Sequence, residues 1–331
     1  MALILGIEST AHTFGVGIVK NRKILANLKD SYKTDSGGII PMEAAKHHRE
    51  KSKEIYEGAL KISGVEENEI QGIAISNAPG LAPCLVEGMK FAKELSKKLK
   101  IPIIPVNHCI AHLEVGSSIK NGPKDPVMLY VSGANTQVIA YSSGKYRIFG
   151  EILDIGVGNF IDNFARHIGI GFPGGPKVEI LAANGKNYIE LPYKVKGMDI
   201  ALSGILTNLK QKVEKKKHNK EDLCYSLQET VFAMLVEVAE RALAHTGKKE
   251  LLLGGGVGCN KRLQEMCRIM CKERGCEFFV PENSLLVDNG AMIAFLGEKM
   301  FKKGIKFQEK ELHKVDIQPR QRTDEVEVKW K

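Results

Sequence analysis

The residues best suited to chemistry lie in one stretch, 103–136, with the sequence IIPVNHCIAHLEVGSSIKNGPKDPVMLYVSGANT. His108 and His112 are four residues apart, a spacing that puts both on one face of a helix. Two imidazoles one helical turn apart can bind the same metal ion. The alternative is that one histidine packs in the core and the other is solvated. The metal interpretation predicts an exposed helix face at a domain junction.

A second kind of site follows the histidines directly. Residues 127–131 (VMLYV) predict a short apolar strand, and the polar turn 132–136 (SGANT) comes after it. Hydroxyls and backbone amides in such a turn are typical of phosphate binding. A metal pair beside a phosphate-binding turn indicates a functional site rather than two unrelated features.

Length and composition indicate a globular chain of about two domains. The sequence has 331 residues, 43% hydrophobic and 26% charged, which is ordinary for a soluble protein. No apolar run approaches the roughly 18 residues of a membrane span. The N-terminal segment alternates and lacks the continuous apolar core of a signal peptide. We therefore expect a cytoplasmic protein without a membrane partner.

The seven cysteines do not suggest a disulfide framework. Their number is odd and they include no CxxC pair, so buried free thiols are favoured over a zinc site.

The net charge of +9 is the second informative feature of the composition. Lysine is concentrated at 209–220 and 299–314. Such a chain suits an anionic partner such as nucleic acid, and solvated lysine-rich helices are the alternative.

The order of predicted elements repeats. Three short strands at 3–8, 14–19 and 23–28 precede a helix at 42–62, and a similar triplet recurs at 127–131, 137–142 and 146–150. Each triplet holds a polar turn between its first two strands. The repeat indicates a duplicated nucleotide fold.

Several further candidates lie in the second half. A helix over Asn159–Ile168 carries Asp162, and Glu179 is expected in the first turn of the helix that follows the GFPGGP segment. The stretch 191–208 is expected to be a loop or short strands. Asp288 stands at the start of a last apolar helix.

A glycine cluster after the strand at 250–253 invites a Rossmann interpretation. That interpretation is poor, because the cluster lies late in the chain, lacks GxGxxG spacing and has no acidic residue on a following strand. The glycines still predict close approach of a ligand such as an adenine ring to the backbone.

Eight motifs occur in order over nearly the whole chain: GIESTAHTFGVGIV, PVNHCIAHLEVG, LYVSGANTQVIAY, LDIGVGNFIDNFAR, GFPGGPKVE, GMDIALSGILT, LLLGGGVGCNKRL and VDNGAMIA. Together they resemble the universal tRNA threonylcarbamoyladenosine synthase family. The similarity is to its archaeal and eukaryotic branch, the catalytic subunit of the KEOPS complex.

The resemblance implies a duplicated α/β fold, that of the actin-like ATPase, sugar kinase and heat-shock-chaperone (ASKHA) superfamily, with two domains around a nucleotide cleft. One domain is expected to comprise residues 1–122 and about 290–331, and the other residues 123–289. The implied reaction transfers a threonylcarbamoyl group from threonylcarbamoyl-AMP to N6 of adenosine 37 in tRNAs that read codons beginning with adenine, and it releases AMP.

The resemblance also implies the site residues. One metal ion per subunit, iron with zinc as the alternative, would be bound by four catalytic residues: His108, His112, Tyr130 and Asp288. The threonylcarbamoyl-AMP or another adenine nucleotide would contact Tyr130, Val131, Ser132, Gly133, Ala134, Asp162, Gly175, Glu179 and Asn260. The implied partners are tRNA and the other KEOPS subunits, namely a small kinase-like ATPase, a dimerising subunit and a further small subunit.

Three other functions would also use some of these features. A metalloprotease of the HExxH class is disfavoured because Cys109 stands where the glutamate base would be. An ATP-dependent small-molecule kinase or ATPase of the same fold is the main alternative, although such enzymes bind magnesium through carboxylates and waters rather than imidazole. A non-catalytic scaffold within a complex is the third.

Overall fold

The structure, a computed structural model, describes residues 2–34 and 38–331. Within these residues two five-stranded sheets form the framework, and no helix is long and apolar enough to cross a membrane.

The first sheet has the strand order β3-β2-β1-β4-β5. β1 pairs antiparallel with β2 and parallel with β4, so the sheet combines a meander with crossover strands. Its strands and the helices among them are β1 (Leu3–Glu8), β2 (Thr13–Lys20), β3 (Lys23–Ser31), α1 (Pro41–Ser63), β4 (Gly72–Ala78), α2 (Ala82–Leu99), β5 (Ile103–Asn107) and α3 (His108–Val115).

The second sheet has the order β12-β11-β6-β7-β8, which is the same topology. The predicted duplication is therefore confirmed. The elements of this half are β6 (Val127–Val131), β7 (Thr136–Ser142), β8 (Lys145–Glu151), α4 (Val157–His167), α5 (Gly175–Ala182), β9 (Val195–Lys196), β10 (Asp199–Ile200), α6 (Ser203–Glu214), α7 (Lys220–Thr246), β11 (Glu250–Gly254), α8 (Lys261–Glu273), β12 (Glu277–Phe279), α9 (Asn283–Leu286) and α10 (Gly290–Lys302).

Alternation along the strands decides which layer each side chain joins. On β1, Leu3 and Leu5 point to a core covered by α1 and α2, whereas Ile4 joins a core that contains α3 and α10. Met128 and Leu252 from the second sheet belong to that same core. α3 and α10 thus lie between the two sheets, and residues on α3 or at the start of α10 are held from both sides.

α10 follows the second sheet in sequence but packs on the first. Gly17 and Gly290 permit this close approach, because a Cβ at Gly17 would lie 2.2 Å from the amide nitrogen of Ala291. The contact supports the domain limits expected near 122 and 290, which stay a prediction.

Two expectations about local structure need correction. The stretch 191–208 contains the short β9–β10 hairpin as predicted, but its last residues are the start of α6. Glu179 is the fifth residue of α5, so it lies in the second helical turn rather than the first.

Candidate metal centre and nucleotide site

The two histidines and Asp288 converge on one point. The Nε2 atoms of His108 and His112 each lie 3.4 Å from the same carboxylate oxygen of Asp288, and the three ligand atoms are all within 4.8 Å of one another. Two ligand atoms bound at roughly 2.1 Å in a tetrahedral site would be about 3.4 Å apart. The two distances from the histidines to Asp288 therefore fit a shared metal ion.

α3 holds the histidines rigidly. Asn107 caps the helix, its side-chain oxygen accepting from the amide of Ile110 at 3.2 Å. All eight residues of α3 are buried, with His108 6% and His112 2% exposed. The expected exposed helix face is therefore wrong, because the second sheet covers the side of α3 that a single domain would leave open.

Asp288 is fixed by the turn between α9 and α10. The side chain of Asn289 accepts from the amide of Met292 and donates to the carbonyl of Val287, so it bonds to backbone on both sides of Asp288. The side chain of Asp288 keeps 20% exposure. It is the solvent-facing member of the cluster.

Burial and neighbouring charges shift the pKa of each member of the cluster. Burial opposes charge on His108, but the carboxylates of Glu8 and Asp288 outweigh burial and raise its pKa to about 9. Burial and the neighbouring charge of His108 lower the pKa of His112. The two histidines keep the pKa of Asp288 well below its usual range despite burial. A bound cation would replace the proton that His108 holds.

Glu8, which was not predicted as a site residue, lies behind this cluster. Its fully buried carboxylate is 2.9 Å from Nδ1 of His108 and accepts from the amide of Thr10 at 2.7 Å. A carboxylate at Nδ1 fixes the imidazole tautomer and leaves Nε2 free to bind a metal. The signal in the sequence was an acidic residue ending an otherwise apolar strand, LILGIE.

Tyr130 is placed beside the cluster. Its ring centroid is 5.2 Å from that of His112, and only 1% of the residue is exposed. Burial raises the pKa of its phenol well above the ordinary value.

The turn 132–136 is compact. The hydroxyl and amide of Ser132 both bond to the carbonyl of Asn135, while the amides of Gly158 and Asn159 at the start of α4 donate to the carbonyls of Ser132 and Gly133. The amides of Gly133 and Ala134 donate to no described residue. Two free amides remain for a ligand.

The side chains predicted to contact the nucleotide accept hydrogen bonds from backbone amides elsewhere in the chain. Asp162 accepts from the amide of Gly174 at 2.7 Å, and burial raises its pKa. Glu179 accepts from the amide of Lys261 at 2.8 Å, and Asn260 caps α8 through the amides of Arg262 and Leu263. Each of these side chains supports a turn or a helix end.

Lys29, another residue not predicted, links the two groups. Its amino group donates to the backbone carbonyl of Asp288 at 3.1 Å, and its charge acts on the thiol of Cys259, the neighbour of Asn260. The charge of Glu179 raises the pKa of the same thiol. The metal cluster and the glycine-rich turn before α8 are therefore adjacent.

The duplicated α/β fold, with a histidine–aspartate cluster next to the turn at 132–136, suits an enzyme that pairs a metal ion with a phosphate-bearing ligand. A model of the TsaD family, described as tRNA N6-adenosine threonylcarbamoyltransferase, matches residues 23–295. The chain belongs to this family. It is an acyltransferase, as predicted.

Relatives agree with the assignment over the full length. A tRNA N6-adenosine threonylcarbamoyltransferase of Thermococcus kodakarensis is 53% identical over 99% of both chains. A Methanosarcina mazei protein named "Probable bifunctional tRNA threonylcarbamoyladenosine biosynthesis protein" is 51% identical over 99% of this chain but only 59% of its own.

Solved structures confirm the fold class. HypF of T. kodakarensis superposes with a TM-score of 0.66 at 16% identity, over 94% of this chain and 49% of its own. Component A of the (R)-2-hydroxyglutaryl-CoA dehydratase of Acidaminococcus fermentans gives a TM-score of 0.56 at 13% identity, over 95% of this chain and 100% of its own. The predicted ASKHA-type α/β fold is confirmed.

Proposed function

We propose that the protein transfers the threonylcarbamoyl group of threonylcarbamoyl-AMP to N6 of adenosine 37 in tRNAs that read codons beginning with adenine. The observation that carries this proposal is the convergence of His108, His112 and Asp288 next to the turn at 132–136, whose Asn135 side-chain amide contacts the thiol of Cys109 on α3 at 3.9 Å. The family assignment supplies the class of reaction.

The chemistry is an acyl transfer between two nucleotides. The adenosine amine forms a bond to the carbamoyl carbon, the bond from that carbon to the phosphate oxygen breaks, and AMP leaves with the electron pair. The amine loses one proton. A bound metal would supply Lewis acidity at the carbonyl oxygen, where negative charge develops.

The chain's own groups would bind and orient the donor. The free amides of Gly133 and Ala134 suit the phosphate. We assign the neighbouring residues Tyr130, Val131 and Ser132 to the same side of the donor site. We assign the ribose and base to Asp162, Gly175, Glu179 and Asn260. The carboxylates of Asp162 and Glu179 each accept a hydrogen bond from a backbone amide but retain lone pairs that can accept from ribose hydroxyls.

For the metal we propose iron, with zinc as the alternative. Two imidazoles and a carboxylate suit either ion, and a fourth, phenolate oxygen from Tyr130 favours iron. This assignment makes the four residues His108, His112, Tyr130 and Asp288 the catalytic centre.

We further propose that the protein works in the cytoplasm with KEOPS-type subunits: a small kinase-like ATPase, a dimerising subunit and a further small subunit. This chain matches only 59% of the bifunctional Methanosarcina relative, and the remaining two fifths of that relative support a partner fused to it. The seven cysteines are free thiols, which suits a reducing compartment.

The test is nucleoside analysis of tRNA after incubation with the protein, its partner subunits, threonine, bicarbonate, ATP and an adenylate-forming enzyme. Threonylcarbamoyladenosine should form at position 37, and a transcript with guanosine there should stay unmodified. Modification at another position, or none with the complete set of subunits and a metal-loaded protein, would refute the proposal.

A further inference from the structure

A cavity lies on the opposite side of α3 from the metal cluster. It has a volume of about 310 Å³ and is formed where the end of α3, the segment joining the two sheets, the end of α10 and the last residues of the chain meet. Glu114 is two positions beyond His112, so it points to nearly the opposite side of the helix. Volumes of this size are at the lower end of those seen for small-ligand sites.

The carboxylates of this cavity are already neutralised. Glu114 is 4% exposed and accepts from the Tyr146 hydroxyl at 2.5 Å, the Trp330 indole at 2.9 Å and the Lys299 amino group at 2.5 Å. Glu298 likewise pairs with Lys302 at 2.8 Å. Each of the two carboxylates thus has its own lysine partner, while more cations than these two line the cavity.

Four more cations line the cavity: Arg22, Lys124, Lys303 and Lys331. In the described part of the chain none of them forms an ion pair with a carboxylate. Burial lowers the pKa of Lys331 by more than the charges of Glu114 and Asp125 raise it. A concave surface with excess like charge is stabilised when an anion enters.

We propose that this cavity binds a phosphate group, from either a free phosphorylated metabolite or an RNA backbone. The inference does not depend on the proposed transfer reaction. It gives a role to Lys303, a member of the lysine-rich stretch 299–314 that directly follows α10 and has no ion pair among the described residues. Scattered solvated lysines, in contrast, would form no cavity with a buried, hydrogen-bonded floor.

Trp330 makes the proposal directly measurable, because it is the only tryptophan of the chain and it lines the cavity. Inorganic phosphate, titrated into the full-length protein at constant ionic strength with chloride, should change its fluorescence to saturation. A Lys124→Gln/Lys303→Gln/Lys331→Gln variant should bind at least about tenfold more weakly, since each lysine offers a charge-assisted hydrogen bond.

Two controls make the test decisive. Lys97→Gln/Lys272→Gln/Lys310→Gln removes the same charge from exposed lysines outside the cavity and should leave the titration unchanged. Replacing the three cavity lysines by arginine should largely restore binding. The proposal fails if phosphate leaves Trp330 emission unchanged, or if the cavity and control glutamine variants respond alike.

A second titration with a tRNA transcript separates the two sources. If the cavity serves RNA, the transcript should change Trp330 emission in the parent and less in the cavity variant. If it serves a free metabolite, inorganic phosphate should act and the transcript should not. Both results support a phosphate site and differ only in its source.

Discussion

The metal cluster and the nucleotide residues hold their polar groups in different ways. His108, His112 and Asp288 point at one another, and Glu8 supports them from behind. Asp162 and Glu179 instead accept hydrogen bonds from backbone amides of their own chain. A cation would complete the first group, whereas the hydrogen bonds of the second are largely made before any ligand binds.

The difference teaches how each region should respond to substitution. In the metal cluster, removing a side chain removes a proposed ligand and leaves the remaining charges unbalanced. Metal binding should therefore change more than stability. In the nucleotide group, removing a side chain also releases a turn or a helix end. Stability must therefore be measured there together with affinity.

The largest effect should come from removing the histidines. His108→Ala/His112→Ala should eliminate bound metal, because the carboxylate of Asp288 and the phenol of Tyr130 do not bind iron or zinc tightly without the imidazoles. Elemental analysis of the purified protein measures the loss, and exposed His313→Ala provides the control. Since α3 is buried, a circular dichroism melt must accompany the assay. Full metal content in a folded double variant would remove the metal assignment.

The pH dependence of metal binding tests whether Tyr130 completes the cluster. His108, with a pKa raised to about 9, is protonated at pH 7 to 8.5 and must release that proton to bind metal. Burial keeps Tyr130 protonated over the same range, so its binding as a phenolate would release a second proton.

Metal affinity should therefore rise with pH, by about tenfold per unit for each proton released. With Tyr130 as a ligand we expect about 100-fold per unit in the parent and about tenfold in Tyr130→Phe, measured by competition with a chelator of known pH behaviour. Equal slopes in the two proteins would exclude the phenolate.

On the nucleotide side, Glu179→Ala should weaken AMP binding by about 1.5–3 kcal/mol, the usual value of hydrogen bonds to a charged group. Calorimetry gives the affinity and a thermal melt gives the stability. Glu265→Ala, at an exposed position of α8, is the matched control. A lowered melting temperature with unchanged AMP affinity would show that Glu179 serves only the amide of Lys261.

Glu8 offers a smaller test of the metal side. Glu8→Gln keeps an acceptor near Nδ1 of His108 but removes the charge, and loss of such a supporting partner typically costs about 10- to 100-fold in metal affinity. Chelator competition measures this without any activity assay. Glu8→Asp, which retains the carboxylate, should lose less. If glutamine and aspartate variants both bind metal like the parent, Glu8 only caps the turn at Thr10.

Much of this arrangement could be predicted because it repeats along the chain. The strand triplets at 3–28 and 127–150 predicted the duplication, and the spacing of His108 and His112 predicted that both lie on one face of a helix. The depth of α3 could not be predicted, because its burial depends on contacts with a second sheet that begins only at Val127.

The start of α6 at Ser203 was missed for a related reason. Asp154 accepts from the amides of Leu202 and Ser203, so the cap of this helix comes from a residue 48 or 49 positions earlier. Glu8 was missed because a single acid at a strand end is uninformative until its partner, 100 residues away, is known. Long-range polar partners are what local patterns omit.

The smallest effect concerns a third region, the exposed lysines 215–217 that follow α6. If they contact tRNA phosphates, the affinity of the complete complex should fall with salt, and Lys215→Gln/Lys216→Gln/Lys217→Gln should flatten that dependence. Each lost contact lowers the log–log slope by about 0.7 to 0.9, because fewer condensed counterions are released.

Metal content and AMP affinity should stay at parental values in this variant, since no residue of either site lies in the substituted segment. Lys97→Gln/Lys272→Gln/Lys310→Gln removes the same total charge elsewhere and separates a local contact from a general loss of attraction. A slope that falls equally in both variants would mean that net charge alone attracts the tRNA. A slope that falls in neither would assign lysines 215–217 to a solvated turn and place the phosphate contacts on other surfaces of the complex.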